Sequence, residues 1–482
     1  MRPVESIVVF LYLIMLIGIG IYYSRRALSS EDDYWVAGRS VNSFVGSFAI
    51  FAAVASGSSL YGSIGLGWRF GVTYYLCYGL SAISLFPFAL FIFAAQMRRS
   101  GVRTLPEYFN RRYGKSVHLL SAAIVVFFMT LYIIPQLTAS GYIGSYVLGL
   151  PYTTAVVLIG IGFTIYAAIG GMWAITYTDF IQGLLMVGGS ALLGLIVLGS
   201  HGGYANLVAD AVAANPNFTT INLPWMSFFG LFFIFLWFAV VAPSAVMRNL
   251  TGKDAGVARR SMMGATWFYT IMWIFGLFIL TAAVGLNAPG TLERADYAYL
   301  TVVEAYMPPL LAGILLAAIL ASIMSSTDSF LLAVSAGISQ DIYKGHINKV
   351  APERLVTRIG LVVMFVAAIF AIIVALNPVE LITVMVAWVS GGMVAAFAFP
   401  IILGLWWRRA NTQGAFAGML GGFVSYIIFM LTKPFELLSE VLVATPIALV
   451  IMVVVTLLTP APSEEVQREV EKQHQNVISF EK

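Results

Sequence analysis

Long apolar stretches, separated by short polar segments, follow one another along almost the whole chain. A membrane-spanning helix needs roughly 20 mostly apolar residues. The pattern predicts an all-α membrane protein of about 13 transmembrane helices, in one domain at residues 1–459, with a charged, solvated tail at 460–482. The thirteen stretches lie at residues 4–24, 43–67, 72–96, 117–147, 153–171, 175–199, 226–250, 259–286, 308–340, 356–376, 380–405, 414–432 and 437–459.

Basic residues are distributed unequally between the two alternating sets of connecting segments. One set holds 22 of the 26 lysines and arginines, and the other holds Arg2, Arg69, Arg294 and Lys433. Because cytoplasmic loops are enriched in lysine and arginine, the first set is predicted to be cytoplasmic. The N-terminus is then outside the cell and the C-terminus in the cytoplasm, which requires an odd number of spans through the plasma membrane.

The composition restricts the function as well as the fold. Hydrophobic residues make up 60% of the 482 positions and charged residues only 10%, whereas soluble domains carry about 25% charged residues. The net charge of +4 is not gathered on one face, which argues against a nucleic-acid partner. We find no nucleotide-binding loop and no zinc-protease or hydrolase motif. The sequence therefore predicts a transporter without a nucleotide partner, not an enzyme.

The second stretch contains residues that interrupt a helix. It reads FVGSFAIFAAVASGSSLYGSIGLGW from Phe44, with Ser56 and Gly57 near its middle. Glycine weakens a helix, and serine can satisfy backbone groups that a break releases. A break here would free the carbonyl groups of Ala52 and Ala55 to face a cation. A face of small residues that packs against another helix is the alternative.

The seventh stretch repeats this motif. FAVVAPS from Phe238 resembles FAAVASG from Phe51, and Pro243 has no amide hydrogen with which to continue the helix. Interrupted spans at corresponding positions of two halves are typical of transporters that are built from inverted repeats.

The ninth stretch carries a line of hydroxyl groups. Ser322, Ser325, Ser326 and Ser329 recur at the spacing that places them on one helix face. Such oxygens suit sodium when carbonyl groups complete the shell, and hydrogen bonding between helices is the alternative. Asp328 flanks this line. A carboxylate within a span costs roughly 2.5–3.5 kcal/mol on insertion scales, so Asp328 is a candidate for a second ion or an aqueous cavity.

Three further polar side chains lie within apolar stretches. Asp179 is either functional or a cap for the sixth helix. Tyr78 belongs either to an interfacial aromatic belt or to the wall of a substrate site. Gln136 follows Pro135, and its amide needs a partner, which is either a substrate or another helix.

Several motifs, in order along nearly the whole chain, resemble the sodium:solute symporter family. They are DDYWVAGRS from Asp32, IGGMWAITYTDFIQG, ILLAAILASIMSSTDSFLL with QDIYK, and GLWWRRANTQGAFAGM from Gly404. The resemblance implies sodium-coupled symport of a small organic solute into the cell by alternating access, and we expect a monomer. It implies a leucine-transporter-type fold of two inverted five-helix repeats at 43–199 and 226–405, with one extra helix at 4–24 and two at 414–459.

The resemblance also assigns site residues. The main sodium site of the family corresponds here to Ala52, Ala55, the carbonyl of Ser322, Ser325 and Ser326. Members similar to the sialic acid transporter have a second sodium, whose positions correspond to Asp179, Ser325, Asp328 and Ser329. The sialic acid transporter has serine where this chain has Asp328. The substrate is expected at Ser56, Gly57, Ser59, Tyr78, Gln136 and Ser244.

The branch of the family bears on the solute. SGSSLYG, WRFG and PSAVMR resemble the sodium/pantothenate branch, whereas the proline branch has an aspartate where this chain has Val54. The pantothenate pattern has a histidine at the position of Ser244 and an acidic residue at that of Val394. We therefore expect pantothenate or another small carboxylate, such as a short monocarboxylate. The alternatives are a proline or sugar symporter, a proton-coupled carrier, or a membrane sensor without transport.

Overall fold

The computed structural model describes residues 2–221, 223–378 and 382–474, and this part of the chain is helical apart from its connections. The predicted stretch 380–405 begins outside the described residues, at 380 and 381. The helices are α1 (Pro3–Ala27), α2 (Glu31–Val36), α3 (Ser43–Val54), α4 (Ser63–Phe70), α5 (Val72–Ala89), α6 (Ala95–Arg99), α7 (Leu105–Tyr113), α8 (Lys115–Leu148), α9 (Tyr152–Ser200), α10 (Tyr204–Ala214), α11 (Trp225–Val241), α12 (Pro243–Thr251), α13 (Ala255–Leu286), α14 (Ala298–Tyr306), α15 (Pro309–Ala336), α16 (Glu353–Ala375), α17 (Ile382–Trp406), α18 (Thr412–Thr432), α19 (Glu440–Leu458) and α20 (Glu464–His474).

The number of spans is close to the prediction. In the described part of the chain, ten helical segments are long and apolar enough to cross a membrane, and two bent helix pairs raise the number to twelve. The predicted stretch 153–171 corresponds to Tyr152–Ala168, which is a shorter apolar helix. The protein is thus an all-helical membrane protein with ten to twelve spans by length and composition, and the thirteenth span stays a prediction.

The two predicted helix interruptions are confirmed. The axes of α3 and the segment Ser58–Phe70 differ by 64°, and those of α11 and α12 differ by 41°. Ala55 leaves the helical conformation with ψ 82°, and Ala242 does so with ψ 118°. Pro243 is the first residue of α12, a position where its missing amide hydrogen costs nothing because that donor would have no helical partner.

Helix α15 lies at the centre of the bundle. Its most apolar stretch is 83% buried, against 28% for α1, which faces outward. It packs against α9, α8 and α1. A helix that is buried on all sides can keep polar side chains only where its neighbours satisfy them, so the serines and the aspartate of α15 must find their partners inside the protein.

Charged side chains outside the spans gather at the two ends of the bundle. At the end where α1 finishes, Glu31 pairs with Arg103 at 2.7 Å and with Lys344 at 2.5 Å. At the end where α1 begins, Arg2 pairs with Glu304. The basic residues at the two ends belong to the two different sets of connecting segments defined above. The assignment of the first end to the cytoplasm stays a prediction.

The tail departs from the expectation of a solvated segment. Residues 464–474 form α20, which packs against α17 and α6. Val470 is only 2% exposed, and the imidazole of His474 bonds the Leu405 carbonyl at 2.7 Å. Val466 and Val470 lie one turn apart, which gives α20 an apolar side despite its many charges. The remaining tail residues, 475–482, lie outside the described part of the chain.

Gly171 joins the two halves of α9 in a conformation that only glycine adopts easily. Its φ is 50° and its ψ is −155°, a region that is almost closed to residues with a side chain. A Cβ atom on Gly171 would lie 2.8 Å from Cδ2 of Tyr34. The joint therefore requires glycine both for its backbone angles and for its close contact with α2.

We predict that Gly171→Ala lowers the stability of the protein by about 1–3 kcal/mol, because the backbone strain of one such residue is of that order. The measurement is the thermal unfolding midpoint of the purified protein in detergent. Gly162→Ala is the matched control, since a Cβ there has nothing within 4 Å. Equal midpoints for the two variants would contradict the role assigned to Gly171.

Candidate functional site

Two carbonyl groups at the break after α3 have lost their helical hydrogen-bond partners. In a continuous helix the amides of Ser56 and Ser59 would bind the carbonyls of Ala52 and Ala55. Here Ser56 donates to the Val54 carbonyl at 3.0 Å, and Ser59 donates to that of Ser56 at 2.8 Å. The Ala52 and Ala55 carbonyls therefore lack the amide partners that a continuous helix would give them, at the C-terminal end of α3, where the helix dipole is negative.

Helix α15 presents oxygens to this break. The Ser325 hydroxyl donates to the Ala52 carbonyl at 3.0 Å and lies 3.2 Å from the Ser322 carbonyl. The Ser322 hydroxyl bonds its own helix, so its carbonyl is the group available here. The Ser326 hydroxyl is buried and has no partner among the described residues. Ser325 thus contacts the Ala52 and Ser322 carbonyls, while Ala55 and the side chain of Ser326 are buried nearby.

A set of neutral carbonyl and hydroxyl oxygens suits a hard cation. Hard cations take oxygen ligands, and transporters with broken helices bind sodium with unwound carbonyls and half-helix C-termini. Both features occur together where α3 meets α15. The oxygens need no proton transfer to bind an ion, because none of them belongs to an acid.

A second cluster lies next to the first, around Arg248 of α12. Its guanidinium donates to Oδ2 of Asp179 from Nε at 3.0 Å and from Nη2 at 2.9 Å. Nη2 also donates to the Ser329 hydroxyl at 2.5 Å and lies 3.7 Å from Oδ1 of Asp328. The side chains of Arg248, Asp179 and Asp328 are 0% exposed. Arg248 therefore supplies the positive charge that Asp328 lacks in its own helix.

The hydroxyl groups complete this cluster. Tyr166 donates to Oδ2 of Asp328. Ser329 donates to the Ser325 carbonyl at 2.5 Å and lies 3.1 Å from Oδ1 of Asp328. The structure thus brings together all four residues of the predicted second ion site. It also connects this site to the first one through Ser325.

The interpretation of Asp179 as a helix cap is wrong. Asp179 lies inside the segment Gly170–Ser200 and is fully buried against Arg248. If both aspartates are ionised, two carboxylates face one guanidinium, which leaves one negative charge in excess. An uncompensated charge in the interior is costly, so the cluster attracts a further cation or a proton.

Sequence reasoning missed Arg248 and Tyr166 as members of this site. Arg248 was counted among the cytoplasmic residues, although its side chain is buried in the bundle. The motif PSAVMR could have indicated this position, because it places Arg248 in the first turns of the short helix that begins at Pro243. Tyr166 lies in an apolar stretch with no polar neighbour in sequence that would have marked it.

A narrow cavity opens on the other side of the break. Its volume is ≈ 10 Å³, about the space of one water molecule. Of the predicted substrate residues, Ser56 and Tyr78 line it. The other lining residues are Val54, Ser58, Ala82, Leu85, Tyr132, Phe235, Phe238 and Tyr269.

The remaining predicted substrate residues surround this cavity only in part. Ser59 bonds the Tyr78 hydroxyl at 2.6 Å. A Cβ on Gly57 would lie 3.2 Å from Oε1 of Gln136, whose buried amide has no partner among the described residues. The Ser244 hydroxyl is buried and likewise unpartnered in the described part of the chain, but it does not line the cavity.

Aromatic residues make up five of the ten residues that line the cavity, and the sequence analysis identified only Tyr78 among them. The Tyr269 hydroxyl lies 3.4 Å from that of Tyr78, and the Tyr132 hydroxyl lies 3.4 Å from that of Ser390. Tyr132 stands one helical turn before Gln136, so the pair could have been found by its spacing. Phe238 begins the repeated motif, which was read only as a helix interruption.

The turn Ala295–Tyr297 packs against α4, the helix that follows the break. A Cβ on Gly65 of α4 would lie 2.8 Å from the carbonyl oxygen of this turn. Asp296 is only 1% exposed. Burial raises the pKa of Asp296 to about 7, although Arg294 and Arg69 act in the opposite direction. The turn therefore packs tightly on α4, and burial favours the protonated form of its carboxyl group more than exposure to water would.

At the end where α1 finishes, α2, the start of α7 and the segment that continues α15 are joined by polar contacts. Glu31 of α2 pairs with Arg103 and with Lys344. Thr104, which precedes α7, donates to Asp341 at 2.8 Å. Lys344 and Asp341 both belong to Gly337–Ile347. Ion pairs and a hydrogen bond thus join α2, the start of α7 and the continuation of α15 at this end of the bundle.

Comparison with known proteins gives the family. The model of the sodium:solute symporter family matches residues 34–422. The osmoregulated proline transporter OpuE of Bacillus subtilis is 27% identical over 94% of each chain. The sodium/pantothenate symporter of Escherichia coli is 29% identical over 86% of this chain and 88% of its own. The sodium/proline symporter of Escherichia coli is 26% identical over 95% of this chain and 94% of its own.

Solved structures give the same fold. A Na⁺-coupled sialic acid symporter in a substrate-bound, outward-open state has a TM-score of 0.80 at 22% identity, over 95% of this chain and 99% of its own. MhsT in complex with L-phenylalanine has a TM-score of 0.56 at 15% identity, over 85% and 97%. These likenesses establish a leucine-transporter-type fold.

The family match covers most of the chain, and the relatives cover it nearly from end to end. The predicted family, and sodium as the coupling ion, are confirmed. The protein is a multi-pass membrane transporter that couples a solute to sodium rather than an enzyme, and it belongs to the sodium:solute symporter family.

Proposed function

We propose that this symporter carries a small carboxylate into the cell, driven by sodium bound where α3 breaks against α15. The observation that carries this proposal is the pair of released carbonyls, Ala52 and Ala55, beside the Ser325 hydroxyl. Sodium bound at this point contacts both α3 and α15, and so holds the first half of the broken helix against the central helix. The ligands of the main site are Ala52, Ala55, the Ser322 carbonyl, Ser325 and Ser326.

A second cation binds at the cluster of Asp179, Ser325, Asp328 and Ser329. The support is electrostatic, since Arg248 balances only one of the two buried carboxylates. The guanidinium already bonds Asp179 and Ser329, so a sodium ion here would displace it in part. Asp328 would then be the strongest ligand. A proton on Asp328 is the competing way to balance the charge.

The solute binds between the break and the aromatic wall. Half-helix N-termini attract anionic groups, and the segment Ser58–Phe70 begins at the cavity. No acidic side chain lines the cavity, and Val54 occupies its wall. The site therefore favours a carboxylate over a cationic group. The residues proposed for the solute are Ser56, Gly57, Ser59, Tyr78, Gln136 and Ser244.

Pantothenate and short monocarboxylates fit this description, and proline is the second candidate. The pantothenate symporters and proline transporters among the relatives are similarly close to this chain. Proline shares the carboxylate but also carries a charged amine. The amine would need backbone carbonyls as its partners, because the cavity wall offers it no carboxylate.

The size of the cavity requires the protein to move during transport. A space of ≈ 10 Å³ is far too small for an organic solute, because small-molecule sites usually measure about 300–1,000 Å³. The aromatic wall must therefore rearrange as the solute enters. Opening at one end at a time is the alternating access that symport requires.

The first prediction concerns the driving ion and the solute. We expect uptake of labelled pantothenate into proteoliposomes to require an inward sodium gradient, and unlabelled short monocarboxylates to compete better than proline. Uptake that persists at full rate when choline replaces sodium, with a proton gradient as the sole driver, would rule out sodium coupling. Proline uptake that exceeds that of every carboxylate tested would leave sodium coupling intact but reject the proposed solute.

The second prediction concerns the main sodium site. Ser325→Ala and Ser326→Ala each remove one ligand oxygen, and a loss of about 1 kcal/mol corresponds to roughly fivefold weaker sodium binding. The measurement is uptake against sodium concentration. Ser335→Ala is the control, since Ser335 also lies in α15 but its hydroxyl donates to the Gly360 carbonyl of α16 at 2.7 Å, away from the break. Parental sodium dependence in both folded variants would place the site elsewhere.

The third prediction concerns Asp328. We expect Asp328→Asn to reduce sodium-driven uptake more than solute binding, and to lower the Hill coefficient for sodium if the parent exceeds one. Asp210→Asn, which alters a carboxylate with a 60% exposed side chain, is the control and should keep the parental curve. If Asp328 carries a proton throughout the cycle, Asp328→Asn will be nearly silent, and the second sodium site will be rejected.

A further inference from the structure

A groove of ≈ 700 Å³ lies at the end of the bundle where α1 finishes, and the sodium mechanism does not use it. It separates the connection after α1 from the first turns of α16. Its volume is that of a small-molecule site. The residues that give it its chemistry are Leu28, Ser29, Ser30, Arg354, Arg358 and Leu361.

Two arginines of the groove have no partner among the described residues. Arg354 and Arg358 lie one turn apart on α16, so their side chains point the same way. Both are exposed, and in the described part of the chain neither makes a hydrogen bond or an ion pair. Two free guanidinium groups side by side form a fork that matches the oxygens of a phosphate group.

The acidic residues of the groove do not cancel this charge. Glu31 is 3% exposed and is bound by Arg103 and Lys344. Glu353 is exposed, so water screens its charge. The two arginines of α16 against this one free glutamate leave the groove with one positive charge.

Large apolar side chains are exposed in the segments that form the groove and in the connection that precedes α16. Leu28 is 57% exposed and Leu355 is 39% exposed. The connection just before α16 exposes Ile347 by 71% and Val350 by 90%. Water would be an unfavourable solvent for so many large apolar groups at one place. A bilayer interface offers them acyl chains at the same depth at which it offers the arginines phosphate groups.

We propose that this groove binds the headgroup of an anionic phospholipid from the leaflet that the basic residues predict to be cytoplasmic. Arg354 and Arg358 hold the phosphate, and the acyl chains lie along the outward face of α16, where Val362 and Val366 are 63% and 60% exposed. Basic pockets between helices on the cytoplasmic side are typical sites for such headgroups. The proposal is independent of the solute and of the sodium sites.

The test is the thermal unfolding midpoint of the full chain, purified in a neutral detergent and titrated with three probes. These are phosphatidylglycerol, phosphatidylcholine and inorganic phosphate. A ligand that binds only the folded state stabilises it by RT ln(1 + L/Kd), where L is the free ligand concentration, so the midpoint rises with the logarithm of that concentration once it exceeds Kd. We expect phosphatidylglycerol alone to raise it.

Two double variants give the result its specificity. The double variant Arg354→Gln, Arg358→Gln should need at least ten times more phosphatidylglycerol than the parent for the same rise in the unfolding midpoint. Lys253→Gln with Arg260→Gln removes two exposed charges from the same predicted side of the membrane and should behave like the parent. The midpoints in phosphatidylcholine check that each variant is folded.

Two outcomes would overturn the proposal. An unchanged phosphatidylglycerol effect in the folded Arg354→Gln, Arg358→Gln variant would show that the lipid binds elsewhere or only by bulk charge. A shift of the same size with inorganic phosphate would show a site for a free anion rather than for a lipid.

Discussion

The guanidinium of Arg248, held between Asp179 and Asp328, is the constraint on which the interior of this transporter depends. It joins α9, α12 and α15 inside an apolar bundle. Removing one partner of such a buried pair typically costs about 3–5 kcal/mol, because the remaining charge is left without compensation. The three helices therefore cannot separate far without a replacement cation. The arrangement fixes α15, and with it the serines that face the break in α3.

The two helix breaks explain how Arg248 reaches this position and how sodium finds its ligands. Pro243 starts α12 at an angle of 41° to α11, and Arg248 follows within that short helix. The break after α3 frees the Ala52 and Ala55 carbonyls toward α15. The two breaks thus provide one fixed cation, the guanidinium, and the place proposed for an exchangeable cation. Ser325 touches both regions through its hydroxyl and its carbonyl.

Much of this could be predicted from the sequence, because the relevant forces are local. Apolar length predicts the spans, glycine and serine predict the break at Ala55, and proline predicts the break at Ala242. The serine line of α15 follows from helical spacing alone. The thirteenth span was less certain because Tyr152–Ala168 is short for a bilayer. The packing of α20 against the bundle was not predicted, because Val466 and Val470 stand among many charged residues in the sequence.

The partners of the buried charges could not be predicted, because they come from distant helices. A count of basic residues assigns each arginine to a connecting segment. Arg248 was therefore placed outside the membrane, because the sequence does not show which side chains surround it. The aromatic wall was missed for a related reason, since tyrosines such as Tyr132 and Tyr269 are equally common in apolar cores and substrate sites. Only the position of these tyrosines around the helix break identifies them as part of the cavity wall, and that position follows from the fold.

The most direct test is a structure of the purified protein in saturating sodium, at a resolution that distinguishes ordered ions. The account predicts an ion bound by the Ala52 and Ala55 carbonyls and by the Ser325 and Ser326 hydroxyls, and absent when sodium is replaced by choline. An ion bound elsewhere, with Ser325 still donating to Ala52 in saturating sodium, would contradict it.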